Sequence, residues 1–126
     1  MENNNCIFCS KEKLNINYED DIFYVIRDAY PVTTDHTLII LNEHNKTYFD
    51  LRDRDIIQLN NIIKFQKDSL IGKDNSITGF NIGINQGETA GQTVMHLHIH
   101  LIPRRKGDID DPRGGVRGVI PSKQKY

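Results

Sequence analysis

Gly91-Gln92-Thr93-Val94-Met95-His96-Leu97-His98-Ile99-His100-Leu101-Ile102-Pro103-Arg104 is the stretch that decides the fold. Polar and apolar residues alternate from His96 to Leu101, the pattern of a strand with two unlike faces. Leu97, Ile99 and Leu101 make a core face, so His96, His98 and His100 project together from the other. A rise of ~3.3 Å per residue sets neighbouring imidazoles about 7 Å apart. The chain has five histidines, and three of them on one face of one strand exceed what packing requires. Just upstream, a glycine turn at Gly91 presents the Gln92 carboxamide, the Thr93 hydroxyl and freed backbone N–H groups, the donors that phosphate oxygens need. Pro103 brings no N–H and is expected to stop the strand after Ile102.

Working outward, residues 22–26 and 37–41 read as two strands rich in β-favouring apolar residues, joined by a turn-rich link through Pro31. Apolar positions Ile56, Leu59, Ile62, Ile63 and Leu70 recur every three or four residues and predict a long helix. Asp50 is its expected N-cap, Asp53 lies in the first turn, and Gly72 is its expected C-terminal stop. Residues 79–84 give a third strand and 96–102 the fourth. A few antiparallel strands with one long helix make an α+β domain. Neither repeats nor a linker divide the chain, so residues 1–126 read as one domain, irregular beyond Pro103.

A row of imidazoles can serve two chemistries. Several can hold a zinc ion that activates water. Alternatively one neutral imidazole attacks phosphorus while its neighbours fix its tautomer. The phosphate-friendly lead-in favours the second. The whole stretch from Gly91 to Arg104 resembles the signature of the histidine-triad (HIT) family, histidine–apolar–histidine–apolar–histidine–apolar–apolar with its lead-in and following Pro-Arg. Residues 23–41, with Asp28, Pro31 and His36 in order, are similar to that family's first nucleotide-binding segment.

The resemblance implies a HIT-like fold, an antiparallel sheet with one helix packed on it, assembled as a two-fold dimer. It implies His98 as nucleophile, His100 as the residue that orients it, and His36 as a further histidine against the triad. Asp28 falls where the family grips ribose hydroxyls; Asn85, Gln92 and Thr93 fall where it meets phosphate or leaving group. Histidine rather than glutamine at position 100 separates the chain from the hexose-1-phosphate nucleotidylyltransferases of the wider superfamily. The expected activity is cleavage at the α-phosphate of nucleoside 5′-phosphate derivatives, dinucleoside polyphosphates or AMP conjugates such as phosphoramidates, through a nucleotidyl-histidine. The alternatives are a zinc hydrolase using the triad as ligands, and a nucleotide-binding regulatory protein with little activity.

Cys6-Ile7-Phe8-Cys9 brings two thiols to the spacing at which both can meet one tetrahedral ion. Two more ligands must come from afar, and His44 and His96 are the histidines without another role. Resemblance to family members with an amino-terminal CxxC supports that set. The expected zinc has four protein ligands, which leaves the chemical step without a metal. A redox CxxC is the weaker alternative, since no thioredoxin-like βαβ pattern surrounds it.

Bulk properties bound the rest. Hydrophobic residues are 37% and charged residues 26% of 126, values of an ordinary globular domain with one core. The net charge of −1 gives no support to a nucleic-acid polymer or a membrane surface as partner. Positions 104–126 nevertheless carry a local excess of basic residues, expected to be an ordered Gly/Arg tail with Arg113 and Arg117 suited to phosphate. No apolar run approaches the ~20 residues of a membrane span. Met1 to Asn5 lack a secretory layout, so a cytoplasmic location is expected.

Overall fold

A computed structural model describes residues 5–126; most of the leader reading, on residues 1–4, lies outside them. Five strands, β1 (Ile16–Glu19), β2 (Phe23–Arg27), β3 (Thr37–Leu41), β4 (Ile77–Gly83) and β5 (His98–Arg105), and one helix, α1 (Asp53–Lys73), are joined by short 3₁₀ turns. The sheet order is β1-β2-β3-β5-β4 with every pairing antiparallel. The α+β class with one helix on an antiparallel sheet is therefore as the sequence predicts.

Alternation along the strands divides the sheet into two faces. Phe23, Val25, Ile39, Leu41, Leu97 and Ile99 pack beneath Leu59 and Ile62 of α1. Leu70, Ile77 and Leu101 extend this layer. Tyr24, Ile26, Leu38 and Ile40 face the other way and are covered by Cys6 and Phe8 of the amino-terminal segment. Leu70 is fully buried, so Leu70→Ala should cost about 2–5 kcal/mol; a urea midpoint unchanged from wild type would show that the site collapses without loss.

Four expectations about boundaries are corrected. Asp50 does not cap α1: it accepts the Thr47 N–H in a separate 3₁₀ turn, Tyr48–Asp50. The cap position is Arg52, whose N–H is taken by the Asp55 carboxylate at 2.9 Å. Gly72 does not end the helix, which continues through Lys73 to an extended Asp74. Pro103 does not stop the strand. The pairing of β3 with β5 ends at Leu101, and the Pro103 carbonyl, on that now open side, accepts from the Thr33 hydroxyl at 2.6 Å. Its missing N–H therefore costs no ladder bond. Last, β5 begins at His98, two residues later than expected; His96 belongs to the turn before it, with its N–H on the Val94 carbonyl.

Candidate active site and metal cage

His98 and His100 stand side by side on β5, opposite Ile40 and Leu38 of β3, with ring centroids 5.3 Å apart. The His98 Nδ1 lies 2.8 Å from the His96 carbonyl. A carbonyl only accepts, so Nδ1 carries the proton and Nε2 of the neutral ring keeps its lone pair. Phe8 packs edge-on against the same ring at 5.0 Å. The expectation that His100 fixes the His98 tautomer is thereby corrected: the backbone of His96 does so.

His100 has a different partner. The Val32 N–H donates to His36 Nδ1 at 3.0 Å, which places the His36 proton on Nε2. That proton is donated to His100 Nδ1 across 2.9 Å. The proton of neutral His100 therefore sits on Nε2. Burial pushes the His36 pKa down, and burial together with the neighbouring His98 and His36 brings that of His100 to about 4, with Asp28 opposing in both cases. Both rings are neutral near pH 7. His100 is thus a fixed hydrogen-bond donor.

Linkage gives this a measurable sign. An unfolded histidine titrates near 6.5, so between pH 6.5 and about 4 the unfolded chain binds a proton that folded His100 refuses. Stability present above pH 6.5 is lost as pH falls through that window. Urea unfolding of wild type and His100→Gln at pH 7 and pH 5 checks this; the wild type should lose more over the interval. Equal losses would show that folded His100 titrates normally.

Asp28 lies at the end of β2 with one carboxylate oxygen 3.5 Å from His36 Nε2 and the other accepting the Tyr30 N–H. Asp28, His36 and His100 lie close enough to suggest a metal triad. The Val32 N–H argues against it, because it holds a proton on the nitrogen of His36 that would have to bind. The zinc-hydrolase alternative loses its ligands for this reason and because His96, the first of the triad, turns its Nδ1 to the cysteines instead.

The lead-in loop behaves partly as read. Gly91 has φ 96°, open to glycine at little cost. Gln92 is buried, its oxygen accepting the Gly87 N–H and its nitrogen donating to the Val94 carbonyl. It braces the loop from within. Thr93 is exposed, and Asn85 lines a cavity of about 560 Å³ together with His36 and His100. Arg117 does not face this space: its guanidinium meets the Lys123 and Gln124 carbonyls and covers the Tyr126 ring. Arg113 stands exposed in the tail, its N–H on the Asp111 carboxylate.

Cys6, Cys9, His44 and His96 converge on the far end of the same sheet face. Cys6 Sγ and Cys9 Sγ lie 3.4 and 3.5 Å from His96 Nδ1, Cys9 Sγ 3.3 Å from His44 Nδ1, and the two Nδ1 atoms 3.2 Å apart. Tetrahedral zinc with bonds of ~2.3 Å to sulfur and ~2.0–2.1 Å to nitrogen demands separations of about 3.5 and 3.3 Å. The cage fits. His96 Nε2 donates to the Leu41 carbonyl, which leaves Nδ1 free to ligate and fixes its aim.

A histidine row on an antiparallel sheet, with one ring tied to a further histidine, agrees with the resemblance to histidine-triad proteins. The chain belongs to that family: its residues 10–107 match the HIT domain. A HIT-like protein of Borreliella burgdorferi is 37% identical over 108 residues, covering 82% of this chain and 78% of that protein. Among solved structures, a zinc-bound histidine triad family protein from Mycobacterium smegmatis aligns with TM-score 0.73 and 32% identity, over 82% of this chain and 78% of that one. Plasmodium falciparum diadenosine triphosphate hydrolase aligns with TM-score 0.68 and 33% identity, over 76% and 65%.

Proposed function

We propose that this protein is a nucleotide hydrolase whose His98 Nε2 attacks the α-phosphorus of a nucleoside 5′-phosphate derivative. The observation that carries this reading is the His98 Nδ1–His96 carbonyl hydrogen bond, which leaves the nucleophilic nitrogen of a neutral ring unprotonated. Family membership and the diadenosine triphosphate hydrolase neighbour support the substrate class.

In the first half-reaction the Nε2 lone pair forms a P–N bond while the bond from phosphorus to the leaving group breaks. The leaving atom takes that electron pair and a proton from solvent. His100 Nε2–H donates to the phosphate oxygens, where negative charge gathers. Water then attacks phosphorus and returns a proton to solvent, the P–N bond breaks, Nε2 regains its lone pair, and the nucleoside monophosphate leaves. Two lower barriers replace one high one. Asp28 is assigned to the ribose hydroxyls, and Asn85 and Thr93 to phosphate or leaving group. Gln92 contributes through the loop it braces.

The proposal includes zinc held by Cys6, Cys9, His44 and His96, where its chemistry is structural closure with no coordination position left for water. It also includes a two-fold dimer, supported by exposed Ile57 and Phe65 on α1 and exposed Ile82 on edge strand β4; sedimentation should give twice the 14.5 kDa of one chain. Among the described residues no helix is long and apolar enough to cross a membrane, and we assign the protein to the cytoplasm.

The test is chemical trapping. A dinucleoside triphosphate labelled at the α-phosphate, mixed with stoichiometric enzyme and quenched in alkali, should leave up to one label per chain on the peptide containing His98. Turnover with no trapped label at any mixing time, or label on another residue, defeats the covalent route. AMP binding without turnover would favour the regulatory alternative.

A further inference from the structure

The cavity beside His100 has an unusual wall. One side is sheet: His36, His100, Asn85 and Ile82. The other is the tail, through Val116, Val119 and their neighbours, which lies wholly beyond residues 10–107 matched by the family. The tail is folded on itself, with the Gln124 amide on the Arg113 carbonyl and the Arg117 guanidinium on the Lys123 carbonyl. Gly114 makes that closure possible. At φ 90°, a Cβ there would run into the backbone carbonyl of Gln124.

The lining is mostly apolar, and its charge is spent. Arg104, its sole residue that is always ionised, is bidentate to Asp108 and also meets Asn81. His36 and His100 are neutral. A sulfate, phosphate or ammonium group entering here would find no free counter-charge. Val116 and Val119 are nevertheless 63% and 74% exposed, apolar surface with no cover. About 560 Å³ accommodates one or two rings. Asp28, His98 and Thr93 do not line the space, whereas Asn85 and His100, the donors assigned to phosphate and leaving group, do. Asp28 meets His36 at 3.5 Å from outside the lining, so the cavity adjoins the phosphate donors without including the ribose anchor.

We infer that the tail builds a leaving-group pocket, and that the preferred substrates carry an uncharged, ring-bearing group on the far side of the scissile bond. This deepens the hydrolase reading and depends on it. Apolar discrimination of this kind is worth at least ~10-fold in kcat/KM.

The test compares adenosine 5′-phosphoramidate, whose leaving group is ammonia, with its N-aryl derivative, in wild type, Gly114→Ala and the double variant Val116→Asp, Val119→Asp. Taking the ratio of the two kcat/KM values cancels intrinsic leaving-group ability across the enzymes. We expect that ratio to fall at least ~10-fold in both variants. A ratio unchanged by either variant, or both substrates slowed equally, overturns the inference while leaving the hydrolase reading intact. Failure of wild type to turn over either compound while it still hydrolyses a dinucleoside triphosphate overturns the inference alone; failure on all three defeats the hydrolase reading, and the pocket assignment falls with it.

Discussion

Replacing His98 by alanine should lower turnover at least ~10³-fold while AMP still binds within a few-fold of wild type. The loss is large because the ring supplies the bond-forming electron pair, and neither neighbour can substitute. His96 Nδ1 points into the cysteine cage and its Nε2 is on the Leu41 carbonyl. His100 Nδ1 accepts from His36. Binding survives because Asp28, Asn85 and His100 are untouched. Single-turnover kinetics with calorimetric AMP titration decide the matter. A variant keeping more than a tenth of the wild-type rate would remove His98 from the nucleophile's role.

The second large effect concerns the metal. Protein purified without chelator should contain one zinc per chain, and stripping it should lower Tm by on the order of 10 °C or more, since a ligand at ~1,000 times its Kd contributes about 4 kcal/mol. Cys9→Ser should act in the same direction, and His44→Ala should reduce zinc content. Activity should decline only as the protein unfolds, because four protein ligands close the cage and leave no open position for water. Well under one zinc per chain in elemental analysis, or full zinc in His44→Ala, would sink the assignment. Rapid loss of activity at a temperature where the stripped protein is still folded would make the metal catalytic.

The strands with strict alternation or continuous β-branched runs were readable because burial imposes a period of two, and β3 coincides with the predicted 37–41. β1 was not read: with four residues, Ile-Asn-Tyr-Glu, it is too short for alternation to stand out. The helix stripe was read from its aliphatic members, yet the fully buried positions include Asp55 and Gln66. Their burial depends on partners distant in space or in the cap, Arg27 for Gln66 and the Arg52 N–H for Asp55, which no local pattern encodes. The cage members were legible because cysteine and histidine are scarce. What holds each triad ring was not, since the Val32 N–H and the His96 carbonyl are backbone groups that every residue possesses.

The cage joins Cys6 to His96, separated by 90 positions, and β5 inserts between β3 and the earlier-made β4. During synthesis, β1, β2 and β3 can pair as they leave the ribosome, because each neighbours the one before it. Cys6 and Cys9 must wait, with His44 as the one histidine ligand made early, until almost the whole chain has emerged. One late segment then delivers His96 to the thiols and His98 and His100 to the sheet. A nascent chain cut short before residue 96 has neither metal cage nor nucleophile, and a chain that completes one completes the other.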